Sequence, residues 1–183
     1  MSESELALVL SGGGARAAYQ VGFLRHLAAR HPDLAPGILT GVSAGGINAT
    51  CLASHEGPFR DGVARLHELW RGLRIEEVFR VERADLALRV TRWGLRLVSG
   101  GVPGAPRVRS LVDTAPLRHL LIQALEPGGD GTFPGIARNL GAGQLRAVAL
   151  TASSYTTGQS VTWVQSVEGC GVLTWERRQR KSV

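Results

Sequence analysis

The chain has 183 residues, 44% of them hydrophobic, which suffices for one sizeable core and is short for two ordinary domains, so residues 1–183 read as a single domain. Its formal charge of +6 comes almost wholly from arginine, Lys181 being the only lysine. No basic run carries the interleaved aromatics of a nucleic-acid surface, which leaves anionic lipid headgroups or plain solubility as the meaning of the charge. Cys51 and Cys170 stand far apart without metal-ligand spacing, which argues against a disulfide framework or a zinc site and for two reduced thiols. No run approaches the ~18 apolar residues of a membrane span, and the polar start Met1–Leu6 lacks a signal-peptide pattern, so a cytosolic protein is expected.

The first apolar run, Leu6–Leu10, meets Ser11-Gly-Gly-Gly14 at once, the pattern of a buried parallel strand entering a tight loop. A helix follows from Ala15 to about Arg30, where Tyr19, Phe23 and Leu27, with Leu24 beside them, form one apolar face before Pro32. The pattern repeats: Gly37–Thr40 is a brief strand, Gly41–Gly45 a turn, and Gly46 to about Ser54 a helix of small residues. Two such units in succession predict a parallel sheet. Helical spacing returns over Asp61–Leu73 and Asp85–Val98, then Ser99–Pro106 reads as a loop. Asp113-Thr-Ala-Pro116 opens another helix through Leu125, a short helix lies near Phe133–Leu140, and Leu145–Leu150 and Ser160–Val164 read as strands. The chain ends at Trp175–Val183 without a closing apolar element, which reads as an α/β sheet left incomplete at its C-terminal side.

Gly41-Val-Ser43-Ala-Gly45 matches the nucleophile-elbow pattern, with a predicted strand before it and a helix after it. That chemistry needs a serine on a strained turn, its hydroxyl above the sheet and glycines where side chains would strike neighbouring backbone. The helix that starts there aims its unpaired amides and positive dipole end at a reacting carbonyl. A plain tight turn would give the same five residues. Gly12-Gly13-Gly14-Ala15-Arg16 offers successive backbone amides unshielded by side chains, an anion site by construction. On its own that loop also fits a dinucleotide fingerprint ending at Ala17, though Asp33, at the spacing of a ribose-binding acid, precedes the Ile38 strand instead of ending one.

Taken together, a triple-glycine loop after the first strand and a serine elbow after the second resemble the patatin-like phospholipases, and Leu111–Arg118 and Ala147–Tyr155 extend the likeness along the chain. The resemblance implies a three-layer α/β fold, with a central, mostly parallel sheet between helices on both faces. It implies a lipid acyl hydrolase whose substrate is a phospholipid or other acyl-ester lipid, and which uses no metal and no organic cofactor. By resemblance Ser43 is the nucleophile, and Gly12, Gly13 and Gly14, with Arg16 at the family's basic position, form the oxyanion hole. Ala17 departs from the glycine usual in the family.

The family pairs its serine with an aspartate in a downstream Asp-Gly-Gly or Asp-Gly-Ala motif, absent here, so that residue is expected beyond Val183 and little turnover is expected of residues 1–183 alone. Asp130-Gly-Thr132 comes nearest but precedes the Leu145 strand. His26, His31, His55, His67 and His119 fall too early or inside helices for a triad. In Asp85–Val98, Arg89, Arg92 and Arg96 line one stripe beside Leu86, Val90, Trp93 and Leu97, a pattern that fits peripheral membrane contact as well as an ordinary solvated face. A non-catalytic lipid-binding remnant is the rival reading, and a nucleotide-binding module a further one.

Overall fold

The computed structural model describes residues 6–74, 78, 115–129, 132–153 and 159–167. The Asp85–Val98 helix, the Ser99–Pro106 loop, Asp113, Asp130 and Cys170 lie outside them. In chain order the elements are β1 (Ala7–Leu10), a 3-10 turn (Gly14–Arg16), α1 (Ala17–Arg30), β2 (Ile38–Val42), α2 (Ala44–Ser54) and α3 (Phe59–Gly72). Next come α4 (Ala115–Leu125), α5 (Pro134–Gly141), β3 (Ala147–Ser153) and β4 (Ser160–Ser166).

The four strands form one sheet in the order β1-β2-β3-β4, with β1, β2 and β3 mutually parallel and β4 antiparallel at the edge. This is the α/β class and largely parallel sheet that the two successive strand–loop–helix units imply. The register puts Val9, Thr40, Ala149 and Val164 in one row and Leu10, Gly41, Leu150 and Trp163 in the next, so alternate residues face opposite sides. Leu10, Leu39 and Val148 are buried on one side, beneath α2. Val9, Val42 and Val164 on the other side are exposed, so among the described residues that face is open.

Helix α2 lies on β1, β2 and β3, and each of the other four helices packs against it. One apolar core joins Leu10, Leu39 and Val148 of the sheet to Leu52 of α2, Leu66 of α3 and Ile136 of α5. Close approach depends on glycine at Gly135, where a Cβ would stand 2.9 Å from the carbonyl carbon of Ser54. The Asn139 amide donates to the Ala53 and His55 carbonyls at 2.7 and 2.8 Å, satisfying the C-terminal carbonyls that α2 leaves unpaired.

Helix α1 differs from its expected orientation. The aromatic face points outward, with Tyr19 83% and Phe23 58% exposed, while Ala17, Val21, Leu24 and Ala28 are buried. Of the expected face only Leu24 is fully buried; it packs with Ala17, Val21 and Ala28 against α3 and α2, where aromatic rings would hold the backbones apart.

Candidate active site

Strand β2 runs to Val42 and α2 starts at Ala44, so the strand-to-helix turn is a single residue, Ser43. Its backbone sits at φ 54, ψ −125, a positive φ that non-glycine residues rarely adopt. The turn is held on both sides. The Ser43 amide donates to the Thr151 carbonyl of β3 at 3.3 Å, and the Ser43 carbonyl accepts from the Gly46 and Ile47 amides at 2.8 and 3.3 Å. Ser43 is solvent-exposed, and among the described residues its hydroxyl bonds to no carboxylate or imidazole.

Gly41 and Gly45 are buried, and each stands where only hydrogen fits. A Cβ on Gly41 would lie 2.6 Å from the Gly45 carbonyl carbon, and one on Gly45 would lie 2.7 Å from the Leu10 carbonyl carbon. These two contacts seat the first turn of α2 directly on the ends of β2 and β1. The amides of Ala44 and Gly45 open that helix and have no intrahelical acceptor.

Gly12 lies against the turn: a Cβ there would stand 3.3 Å from the Ser43 Cβ and 3.4 Å from the Val42 oxygen. Gly13 and Gly14 follow, exposed, and lead into the 3-10 turn, which the Arg16 amide closes on the Gly13 carbonyl at 3.2 Å. Gly14 takes a positive φ of 56°. Arg16 is exposed at the end of this turn, and among the described residues no carboxylate pairs with it.

A polar chain supports the loop from behind. Trp70 of α3 donates through Nε1 to Asn48 Oδ1 at 2.7 Å. Asn48, fully buried on α2, donates to the Ala17 carbonyl and to Gln20 Oε1, both at 3.4 Å. Gln20 in turn donates to the Ser11 carbonyl at 2.7 Å, next to Gly12. Three helices are thereby tied to one glycine loop. Sequence reasoning passed over Asn48 and Gln20, and the available signal was a single amide in a helix of mostly small apolar residues, which must find partners when buried.

The histidines lie elsewhere. His26 and His31 are exposed on and just after α1, His67 contacts Arg25 and Glu68, and His119 is exposed on α4. His55 caps the far end of α2, about 18 Å from Ser43 by helix rise. There it lines a cavity of about 500 Å³ together with Ser54, Arg65, Glu126 and Arg138, of which Ser43 is no part. Cys51 also lines it, and burial pushes this thiol up to about 11. Among the described residues no group of three or more His, Cys, Asp and Glu residues could hold a metal ion, and no helix is long and apolar enough to cross a membrane.

No curated protein matches the chain significantly. Among solved structures, that titled "Crystal structure of type III effector protein ExoU" aligns with a TM-score of 0.40 and 19% identity over 90% of this chain and 36% of that one. The chain therefore spans about a third of the length of the structure it matches. The family model described as patatin-like phospholipase matches residues 8–168, from β1 through the end of β4, and the protein is a member of the patatin-like phospholipase family.

Proposed function

We propose that this protein is a lipid acyl hydrolase in which Ser43 attacks the carbonyl of a fatty-acyl ester, with phospholipid as the substrate class. The observation that carries the reading is the single-residue turn: Ser43 at φ 54, exposed, with Gly12 packed against it. Attack by Oγ would form the tetrahedral oxyanion, the ester C–O bond would then break to release the alcohol, and water would release the acid from the acyl-enzyme. Amides of Gly12, Gly13 and Gly14 and the positive N-terminal end of α2 supply the charge stabilisation in this reading, with the Arg16 guanidinium nearby. The base that takes the serine proton is assigned outside the described residues, in keeping with the family's serine–aspartate pairing. No step calls on a metal or organic cofactor.

The test is release of fatty acid from phospholipid vesicles by the protein and by Ser43→Ala, a conservative change at an exposed site. Slow release that depends on Ser43 is expected of residues 1–183, in keeping with a base that lies outside the described residues. Release that continues unchanged in Ser43→Ala overturns the assignment.

A further inference from the structure

The outward stripe of α1 is formed by Tyr19, Phe23, His26 and Arg30, which recur at four-, three- and four-residue steps opposite the buried Ala17, Val21, Leu24 and Ala28. Two large aromatics on the solvent side of a helix whose inward side is two alanines, a valine and a leucine invert the usual distribution. They are also surrounded by positive charge. Residues 7–32 contain no Asp or Glu, while Arg16, Arg25 and Arg30 are all exposed there. The acids of the adjoining α3 are engaged by neighbours, Asp61 with Arg60 and Glu68 with Arg71 and His67.

The position of the stripe matters as much as its chemistry. The 3-10 turn Gly14–Arg16 runs straight into α1, so Tyr19 is one helical turn beyond Arg16 and Phe23 one turn further. An apolar body with a polar tip, such as tyrosine, suits the boundary between headgroups and acyl chains, and arginines beside it suit anionic headgroups. We propose that this face of α1 docks on the surface of an anionic lipid bilayer and presents the glycine loop and Ser43 to it. The occupant is chosen by charge: a helix that bears arginines and no acid around its exposed aromatics, with Asp33 the first acid after it, is complementary to a negatively charged, partly apolar plane. The inference rests on the lipid hydrolase reading for its purpose, but its evidence is the composition and exposure of α1.

The test is co-sedimentation with vesicles of phosphatidylcholine, with and without phosphatidylserine, using the protein, Tyr19→Ser/Phe23→Ser, and Arg30→Glu. Both variants alter exposed positions, and circular dichroism checks that they fold. Binding should be roughly tenfold tighter with phosphatidylserine present, weaken as salt rises, and fall roughly tenfold or more in each variant. Labelling of Ser43 by a water-soluble fluorophosphonate, measured in parallel, should stay within twofold or so in both variants. Equal vesicle binding by protein and variants overturns the docking proposal, as does a protein dimer that the double variant converts to monomer in the absence of lipid. Failure of the hydrolase reading would show separately, as absence of Ser43 labelling in a protein that still binds vesicles through α1.

Discussion

A Cβ added to Gly12 would stand 3.3 Å from the Cβ of Ser43, so the glycine loop and the serine turn share one small space. Gly12→Ala keeps the backbone amide but crowds the place where a reacting carbonyl must enter. Labelling of Ser43 by a fluorophosphonate should slow by roughly tenfold or more, while thermal stability hardly changes because the position is exposed. Rate constants for labelling, set beside melting curves of the two proteins, check this.

The two glycine environments separate packing from backbone conformation. Gly45→Ala would drive a Cβ to 2.7 Å from the Leu10 carbonyl carbon and unseat α2 from β1. A loss of about 4 kcal/mol or more, or insoluble protein, is expected. Gly14→Ala meets nothing within 4 Å and bears only its positive φ of 56°, which costs about 1–2 kcal/mol. Denaturant unfolding of both variants should rank them in that order.

Trp70, Asn48, Gln20 and Ser11 make a chain, and removing its middle strands both ends. Asn48→Leu leaves the half-buried Trp70 Nε1–H without its acceptor and Gln20 without its donor, at a cost of about 1–3 kcal/mol in all. Melting should fall by roughly 2–10 °C. If the chain is coupled, Asn48→Leu combined with Trp70→Phe should destabilise by less than the sum of the single changes, which a double-mutant cycle measures.

The architecture was largely legible before the structure. Every strand and helix read from residues 6–72, and from 115 onward within the described residues, occurs within a few positions of its expected place, because apolar runs, glycine loops and helix-start residues are local signals. The orientation of α1 was not legible. Tyr19, Phe23, Leu24 and Leu27 are the larger apolar residues at helical spacing, and hydrophobicity alone points them inward, whereas Leu24 is buried, Leu27 half-buried and both aromatics exposed, with Ala17, Val21 and Ala28 completing the face against α3. Gly41, Ser43 and Gly45 stood out because the elbow needs those residue types at that spacing. Asn48 and Gln20 did not, because their importance comes from distant partners that no local pattern encodes: Asn48 meets Trp70, Gln20 and Ala17 at separations of 22, 28 and 31, and Gln20 meets Ser11 at a separation of 9.

Burial raises the Cys51 thiol from 9.0 to about 11, which makes two predictions. In a Cys170→Ser background, folded protein near pH 8 should react with a thiol reagent far more slowly than denatured protein, since the thiolate is the reactive form. Because the folded pKa is the higher one, the neutral thiol's contribution to stability is complete below 9.0 and is lost as pH rises through about 11. Relative to Cys51→Ala, the protein should therefore lose stability across that interval, as unfolding curves on both proteins would register.

If the residue on the bend between β2 and α2 is a nucleophile, a long-chain fluorophosphonate modifies it, which intact-protein and peptide mass spectrometry reads. One adduct is expected, on the peptide carrying Ser43, and none in Ser43→Ala. An unmodified Ser43 after prolonged exposure, or an adduct that persists elsewhere in Ser43→Ala, would contradict it.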